Sequence, residues 1–488
     1  MNCIGSPSFG NDKGISPPTG SKKLTLNDCI LLALENNRIL KRAYLDRITE
    51  KYDLQVAEDK FYPHGQGVFS TERSSIESDN SRTANWDHNA AFTITQEIPL
   101  GGGFSFVWGN DLLKMRNVDD TYSSSWELSF NQPLLKGAGL DVGTASVRRA
   151  RLQEKQNMLS FQETLTDTIT STIQSYRNYL SRYMRLTISR NSLERAKQTL
   201  EINKSLIDAG RMAAVELVQT QAEIANREFD LLTAENNLDS SRLDLIKVLD
   251  IDKETQFEPV KESEVETALP ALEDATAIAF GNRPDYLREM IGLELAKIDY
   301  TVADNNRLWD LSVNAGIGNS NSDEKYGDAI HGLYDIDRSD WNVGLTLTIP
   351  FRDLTITQAY LNAKTALKKT EMGLEESRDN IEIEIRDAVR DAQMKLKQMA
   401  LAREARILAE KKLEIENEKL KAGRTTNFQI VQFQDDLVMA QNNEVDAVTG
   451  YLNSLTSLDS KLGTTLKTWR IEIKETKEED IEDAIHKK

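Results

Sequence analysis

Two stretches of the sequence alternate apolar and polar residues and then run into long helical patterns. One begins at residue 125 and the other at residue 341. The alternating apolar positions are Trp126, Leu128 and Phe130 in the first stretch and Val343, Leu345 and Leu347 in the second. Alternation with a period of two is typical of a strand that has one apolar and one polar face. The sequence therefore predicts, twice, a strand that leads into a very long helix.

The region 65–132 predicts four strands. Its second strand, at 89–98, places Phe92 and Ile94 on the apolar face. A short turn at 99–103 contrasts with long polar segments at 74–88 and 109–121, an asymmetry typical of outer-membrane β-barrels. Five of the six tryptophans lie within residues 86–341, mostly at predicted strand ends, as in an interfacial aromatic belt. The edge of a soluble β-sandwich is the alternative interpretation.

Helical patterns occupy most of the remaining chain. Besides a first helix at 24–61, they predict helices at 141–208, 213–250 and 355–421. A helix of 68 residues would be roughly 100 Å long. Such a helix cannot bury its apolar stripe inside a globule, so it must pack along similar helices, as in a coiled coil.

The chain contains two copies of one unit. Residues 270–290 match residues 25–44 at an offset of 246, whereas 422–434 match 209–221 at an offset of 213. Because the offsets differ by 33 residues, we expect an additional β-hairpin in the first copy, at about 89–120.

Between strand and helix, four residues are predicted to turn the chain. They are Pro133, Gly137 and Gly139 in the first copy and Pro350 in the second. Proline ends a strand and glycine permits turns that other residues resist. The run GAGLDVG at 137–143 also resembles a dinucleotide-binding loop, but the helix that follows is far longer than that fingerprint requires. We expect no cofactor site.

Composition excludes several classes of function. The net charge of -18 argues against nucleic acid as a partner. Two cysteines, four scattered histidines and no catalytic constellation of carboxylates predict neither a metal site nor an enzyme. No apolar run is long enough for a transmembrane helix. Residues 1–22 have no apolar segment of a secretory signal, so the given chain is a mature or truncated form, has a misassigned start, or is cytosolic.

Taken together, LTLNDCILLALENN at 24–37, QPLLKGAGLDV at 132–142 and the two AGR segments resemble the TolC family of outer-membrane efflux and export channels. The resemblance covers about residues 24–465. It implies a homotrimer whose strands form a barrel in outer-membrane lipid and whose helices form a periplasmic tunnel. It also implies two kinds of partner, a periplasmic adaptor (membrane fusion) protein and an inner-membrane pump or ABC transporter.

The resemblance assigns roles to particular residues. The helix-hairpin tips, which would contact the adaptor, are Ala209, Gly210, Arg211, Ala422, Gly423 and Arg424. The candidates for the periplasmic entrance are Gln429, Gln432, Asp435 and Asp436. Glutamines stand where a well-known member has constricting aspartates, so these residues either narrow the entrance or only pair neighbouring helices. The lipid-facing set comprises Phe92, Ile94, Trp126, Leu128, Phe130, Val343, Leu345 and Leu347.

The predicted fold is an α+β membrane protein: a trimeric TolC-like barrel continued by an α-helical coiled-coil barrel, built from two repeats. The predicted divisions are a disordered segment at 1–23, repeat one at 24–250, a linker at 251–270, repeat two at 271–463 with strands about 311–349, and a charged tail at 464–488. The extra hairpin gives a barrel of 18 strands if it joins the sheet and 12 if it does not. The predicted function is a passive exit duct of a tripartite efflux or type I secretion system. The alternative is a coiled-coil scaffold without a channel.

Overall fold

A computed structural model describes residues 2–4, 22–78, 81–115, 119–262, 269–335, 337, 339–422 and 424–473. The chain divides into two compact units. We call the first the helical unit; it comprises Met1–Ile48, Leu159–Leu287 and Glu376–Lys488. We call the second the sheet unit; it comprises Thr49–Met158 and Arg288–Glu375.

The secondary structure elements of the described residues follow in chain order. The strands are β1 (Asn2–Ile4), β2 (Lys22–Leu24), β3 (His64–Ser78), β4 (Ser81–Glu97), β5 (Gly103–Met115), β6 (Thr121–Pro133), β7 (Phe257–Pro259), β8 (Asp310–Asp323), β9 (Asp340–Thr348) and β10 (Ile471–Ile473). The α-helices are α1 (Leu26–Asn36), α2 (Arg38–Asp59), α3 (Leu140–Gly143), α4 (Ala145–Asp208), α5 (Val215–Leu249), α6 (Leu272–Asn282), α7 (Pro284–Asn305), α8 (Tyr326–His331), α9 (Leu354–Lys421), α10 (Asn427–Leu462) and α11 (Thr465–Thr468).

One antiparallel sheet of six strands organises the sheet unit. Its order is β3-β4-β5-β6-β8-β9, so four strands come from the first repeat and two from the second. The additional hairpin expected at 89–120 is β4–β5, and it lies within the sheet between β3 and β6. All six strands therefore form one surface.

The strands are longer than the sequence predicted. The segments 74–88 and 109–121, which we expected to be long polar loops, are mostly strand: β3 continues to Ser78 and β5 to Met115. Most of their residues are polar and the apolar ones do not alternate regularly, so backbone pairing between strands holds these segments instead. Consequently, Trp108 and Trp126 face each other well inside strands rather than at strand ends.

In the helical unit, α4 provides one side of the main apolar core. Leu165, Ile169, Ile173 and Leu180 are buried on one face of α4, at the spacing of a coiled-coil seam. They pack with α1 and α5. The Tyr176 hydroxyl, also on α4, bonds the backbone of Leu24 and Val260, next to the parallel pair β2·β7.

The helix predicted at 24–61 is broken at Asn37. The Asn37 side-chain amide donates to the Val248 carbonyl at 2.8 Å, and its oxygen accepts from the Ile39 N–H at 2.8 Å. This residue ends α1 and caps α2, because its side chain competes with the helix for backbone groups. The second repeat breaks at the matching position, Arg283, directly before Pro284.

Candidate functional site

The first helical hairpin turns through a Schellman motif. The Arg211 N–H donates to the Leu206 carbonyl at 2.8 Å, and the Gly210 N–H donates to the Ile207 carbonyl at 2.8 Å. Gly210 has a φ of 68°, the left-handed conformation that favours glycine. The geometry of the turn thus accounts for glycine in the first AGR segment.

The second hairpin closes in the same way. Ala209 and Ala422 each donate to the carbonyl four residues earlier, both at 3.1 Å. The Arg424 N–H donates to the Lys419 carbonyl at 2.9 Å, across the same number of residues as in the first tip. Gly423 lies outside the described residues. The repeated AGR sequence therefore corresponds to two similar turns.

The two arginines of the tips have different surroundings. Arg211 Nη2 donates to the carbonyl oxygen of Ala422 at 2.8 Å and so joins the first tip to the second. Arg424 is exposed, and its side chain shows no ion pair among the described residues. We conclude that Arg211 links the tips whereas Arg424 presents its charge to solvent.

A small core lies directly behind the tips. Leu206, Leu420 and Ile430 are buried together. Beside them, Asn203 and Asn427 are fully or almost fully buried, and the Asn203 amide donates to Asn427 Oδ1 at 2.8 Å and to Thr220 Oγ1 at 2.8 Å. These bonds join α4, α5 and α10, so the two hairpins share one support.

The four entrance candidates lie on the first turns of α10. Gln429 and Gln432 are exposed. Asp435 accepts a hydrogen bond from Arg227 on α5, and Asp436 lies 3.1 Å from Lys412 Nζ on α9. The two aspartates therefore contact cations of their own chain.

Arg227 belongs to a charged cluster between the hairpins. Its side chain is 9% exposed, and its guanidinium lies 2.5 Å from Glu223 Oε1. Burial raises the pKa of the Glu223 carboxyl above its usual range, despite the favourable charge of Arg227. Burial, and then repulsion from Arg227, lower the pKa of Arg195 on α4. Removal from water therefore disfavours the charged forms of Glu223 and Arg195 in this cluster.

A second candidate region is the tight turn after β6. Gly137 and Gly139 have φ values of 83° and 94°. The Gly139 N–H donates to the Leu100 carbonyl at 3.1 Å, and a Cβ on Gly101 would lie 2.0 Å from the Gly137 carbonyl oxygen. A Cβ on Gly143 would likewise lie 2.2 Å from the oxygen of Pro99. Gly143 and Gly101 therefore permit close packing between this run and the β4–β5 turn, whereas Gly137 and Gly139 supply the left-handed backbone of the turn.

The two prolines of the predicted transition lie at the ends of strands. Pro133 is the last residue of β6, and Pro350 follows β9. The second turn has no glycine: Arg352 takes the left-handed conformation with a φ of 53°. Asp353 Oδ1 then accepts from the Thr355 N–H at 2.9 Å at the start of α9.

The register of the sheet brings the eight predicted lipid-facing residues onto one face. Phe92, Ile94, Trp126, Leu128, Phe130, Val343, Leu345 and Leu347 belong to one set of cross-strand neighbours. The same face carries further apolar residues outside the predicted lipid-facing set, namely Phe104, Phe106, Trp108, Ile317 and Trp341. The side chain of Trp341 is 75% exposed and that of Val343 is 68% exposed. Many large apolar residues exposed together on one face are unusual for a soluble monomer and are typical of an interaction surface.

The opposite face is polar and acidic. It carries mainly serine, threonine, asparagine and glycine, with a few apolar residues such as Val68 and Val107, and its carboxylates are Glu72, Asp87, Glu97, Asp111, Glu127, Asp310 and Asp340. Within the six described strands, no lysine or arginine belongs to this face. The two faces thus differ both in polarity and in the sign of their charge.

Two features are absent from the described part of the chain. Among its residues, no three histidine, cysteine, aspartate or glutamate residues form a group that could hold a metal ion. None of the helices in the same part of the chain is long and apolar enough to cross a membrane.

The sequence matches the outer membrane efflux protein family over residues 29–249 and 277–464. The chain belongs to this family, a class of outer-membrane channels that extend into the periplasm. The two matched segments correspond to the two repeats. The resemblance to TolC-family channels and the predicted fold class are therefore confirmed. No curated protein sequence matches the chain significantly.

Solved structures of outer-membrane channels have the same fold. The chain is similar to CusC, with 16% identity, coverage of 94% of this chain and 96% of that chain, and a TM-score of 0.69. It is similar to the Campylobacter jejuni channel CmeC, with 17% identity, coverage of 94% and 89%, and a TM-score of 0.67. It is also similar to the Vibrio cholerae outer membrane protein VceC, with 15% identity, coverage of 90% and 96%, and a TM-score of 0.66.

Proposed function

We propose that three copies of this chain form a passive exit duct of a tripartite efflux system, with energy supplied by an inner-membrane pump or ABC transporter. A type I secretion system would use the same duct. The observation that carries the proposal is that each unit of the single chain has two open edges. Open edges of this kind are satisfied when identical copies associate head to tail around an axis.

The sheet is open at β3 and at β9. Each of these strands pairs with only one neighbour in the described chain, although they are 15 and 9 residues long. Unpaired strand edges invite association with other strands. Because six antiparallel strands make β3 and β9 run in opposite directions, β9 of one copy can pair antiparallel with β3 of the next. Three copies then give a closed barrel of 18 strands, with the apolar face toward lipid and the acidic face toward the lumen.

The helical unit also has two apolar edges. α4 pairs with α10, α5 packs on α4, and α9 packs on α10. α5 exposes apolar residues at alternating steps of three and four, which are Val215, Val218, Ala222, Ala225, Phe229 and Leu232. α9 exposes Ile383, Met394, Leu401, Leu408 and Ile415, mostly seven residues apart. Both patterns are typical of coiled-coil seams that lack a partner, so we propose that α5 of one copy packs against α9 of the next.

The hairpin tips are the proposed contact with the periplasmic adaptor. Arg424 and the neighbouring Phe428 are exposed, the latter by 65%. Arginine and aromatic residues are both enriched at protein interfaces. The proposed entrance is lined by Gln429 and Gln432, since the aspartates that follow them contact their own chain. Alanine at both glutamines should raise single-channel conductance, and an unchanged value would leave these residues as helix-pairing groups.

Native mass spectrometry of the detergent-extracted outer-membrane fraction tests the proposal. We expect a species near three times 55.1 kDa for the wild type. Replacing Leu232 by glutamate puts one charge into each of the three seams of the trimer and should yield monomers. The matched control is Asn237→Glu, which adds the same charge at an exposed position outside the seam. A wild-type monomer, or a trimer that the Leu232 variant leaves intact, would contradict the proposed assembly.

A further inference from the structure

Lysine and arginine occupy one corner of the six-stranded sheet. The described residues of its strands include three cations, Arg73, Arg82 and Lys114, and Arg73 and Lys114 belong to the apolar face. Arg73 is directly opposite Trp86, which is directly opposite Lys114 on the next strand. We call Arg73, Trp86 and Lys114 the basic row.

The side chains of the basic row are accessible and partly arranged in advance. The Arg73 guanidinium lies over the Trp86 ring, 5.2 Å from its centre, and the Trp86 ring stacks on that of His88 at 6.2 Å. Trp86 is 42% exposed and the Lys114 side chain 46%. Lys114 Nζ lies 3.3 Å from Asp120, so a ligand would share this ammonium with a carboxylate. Stacking on tryptophan restricts the arginine and reduces the entropy that it loses on binding.

The position of the row along the strands places it at the border of the apolar band. Phe104 and Lys114 are ten residues apart on the same face of β5. That spacing corresponds to about 34 Å along a strand. It corresponds to about 25 Å along the axis of a barrel whose strands tilt by roughly 40°, the height of an outer-membrane apolar band. Phe104 is at the end of β5 that adjoins the β4–β5 turn, beside Gly137 and Gly139, so Lys114 is at the opposite end of this strand from the turn that leads into α3.

We propose that the basic row binds the phosphate group of a lipid in the outer leaflet of the outer membrane. This inference rests on the proposed orientation of the sheet, with its apolar face toward lipid. Guanidinium binds phosphate through two parallel hydrogen bonds, ammonium adds a point charge, and an interfacial tryptophan packs on the adjoining headgroup. The acyl chains of the same lipid would lie along Phe92 and Trp108 on the apolar face. The acidic face offers no comparable partner for an anion.

Native mass spectrometry of the full-length protein in detergent tests this site with three probes: diphosphorylated lipid A, the same lipid without its phosphates, and inorganic phosphate. We expect the wild-type trimer to retain diphosphorylated lipid A, and the Arg73→Ala, Lys114→Ala variant to bind it roughly 10- to 30-fold more weakly. The dephosphorylated lipid should bind weakly and equally to both proteins. Inorganic phosphate should give no adduct, because the acyl chains supply much of the affinity.

Two further variants make the result specific. Lys368→Ala with Lys369→Ala removes the same charge from exposed positions of α9 and should leave lipid binding unchanged. The double variant Arg73→Lys, Lys114→Arg keeps both positive charges and should retain most of the lipid binding. Two results would overturn the site but not the trimer. One is that trimers of the double alanine variant still retain diphosphorylated lipid A, and the other is that the wild type retains the dephosphorylated lipid equally well. A wild-type protein that is monomeric and binds no lipid would overturn both.

Discussion

A charge placed on either face of β6 should have opposite consequences. Leu128 and Ser129 are consecutive, so their side chains point to opposite sides of the sheet. Leu128 is opposite Phe106 and Ile317, and Ser129 is opposite Ser105 and Gly316. We expect Leu128→Arg to prevent stable insertion and Ser129→Arg to permit it.

The magnitude follows from the environment of the two residues. An arginine on the lipid face near the bilayer midplane costs about 2–4 kcal/mol. Loss of the leucine side chain, which is 43% exposed, adds about 1 kcal/mol from its buried part. Because a trimer carries the change three times, the total is roughly 9–15 kcal/mol, comparable with the stability of a whole domain. Ser129→Arg instead adds a cation to a face that carries seven carboxylates, so attraction offsets part of its cost.

Both variants are compared with the wild type by the amount of folded trimer in the outer-membrane fraction, and Ser129→Arg also by planar-bilayer recording. We expect little or no trimer for Leu128→Arg, and a normal amount of trimer with reduced cation preference for Ser129→Arg. If Leu128→Arg inserted normally while Ser129→Arg did not, the assignment of the faces would be inverted. If both inserted equally well, the sheet would not be in contact with lipid.

Three further outcomes follow from particular contacts. Glu127→Gln should shift the zero-current potential in a salt gradient toward that of an unselective pore, because Glu127 belongs to the acidic face; an unchanged potential would exclude this face from the conducting path. Arg424→Ala should weaken crosslinking to the adaptor without changing the distance between spin labels on the two tips, whereas Arg211→Ala should increase that distance, since only Arg211 bonds the other tip. Arg283 lowers the pKa of Asp285 against the opposing effect of burial, so the stabilisation that Asp285 provides is complete above pH 3.8 and is lost as pH falls through the lower folded value. The melting temperature of Asp285→Asn should therefore lie below that of the wild type at pH 7 and converge with it only below pH 3.8; convergence near pH 6 would contradict this assignment.

The alternation of apolar residues was sufficient to assign the faces of the sheet. All eight residues selected from the sequence lie on one face, because a strand period of two admits no other arrangement once the strands pair without a bulge. The strand ends were not predictable in this way. Residues 74–78 and 81–85 are mostly polar on both sides, so only the pairing partner, which lies elsewhere in the chain, makes them strand.

Tertiary contacts explain the remaining differences. The break at Asn37 depends on the Val248 carbonyl, 211 residues away in the sequence, although Pro284 marks the same position in the second repeat and could have revealed it. Likewise, the two AGR arginines are identical in local sequence. Only the hydrogen bond from Arg211 to Ala422 distinguishes them. Local patterns specify turns and faces, and they do not specify which groups meet across the hairpins.

The extra hairpin is compatible with the proposed closure of the sheet into a ring, because it adds two strands and not one. A head-to-tail ring pairs the last strand of one copy with the first strand of the next, and these strands run antiparallel only if each copy contributes an even number. One additional strand would make β9 and the neighbouring β3 parallel and would change the side on which the chain leaves the sheet. A hairpin adds two strands, so β9 and the neighbouring β3 stay antiparallel and the chain leaves the sheet on the same side. β4 and β5 can therefore be inserted between β3 and β6 without altering either edge. In the proposed ring the constraint is therefore the parity of the strands and not their number, so a protomer with six strands would have the same antiparallel edges as a protomer with four.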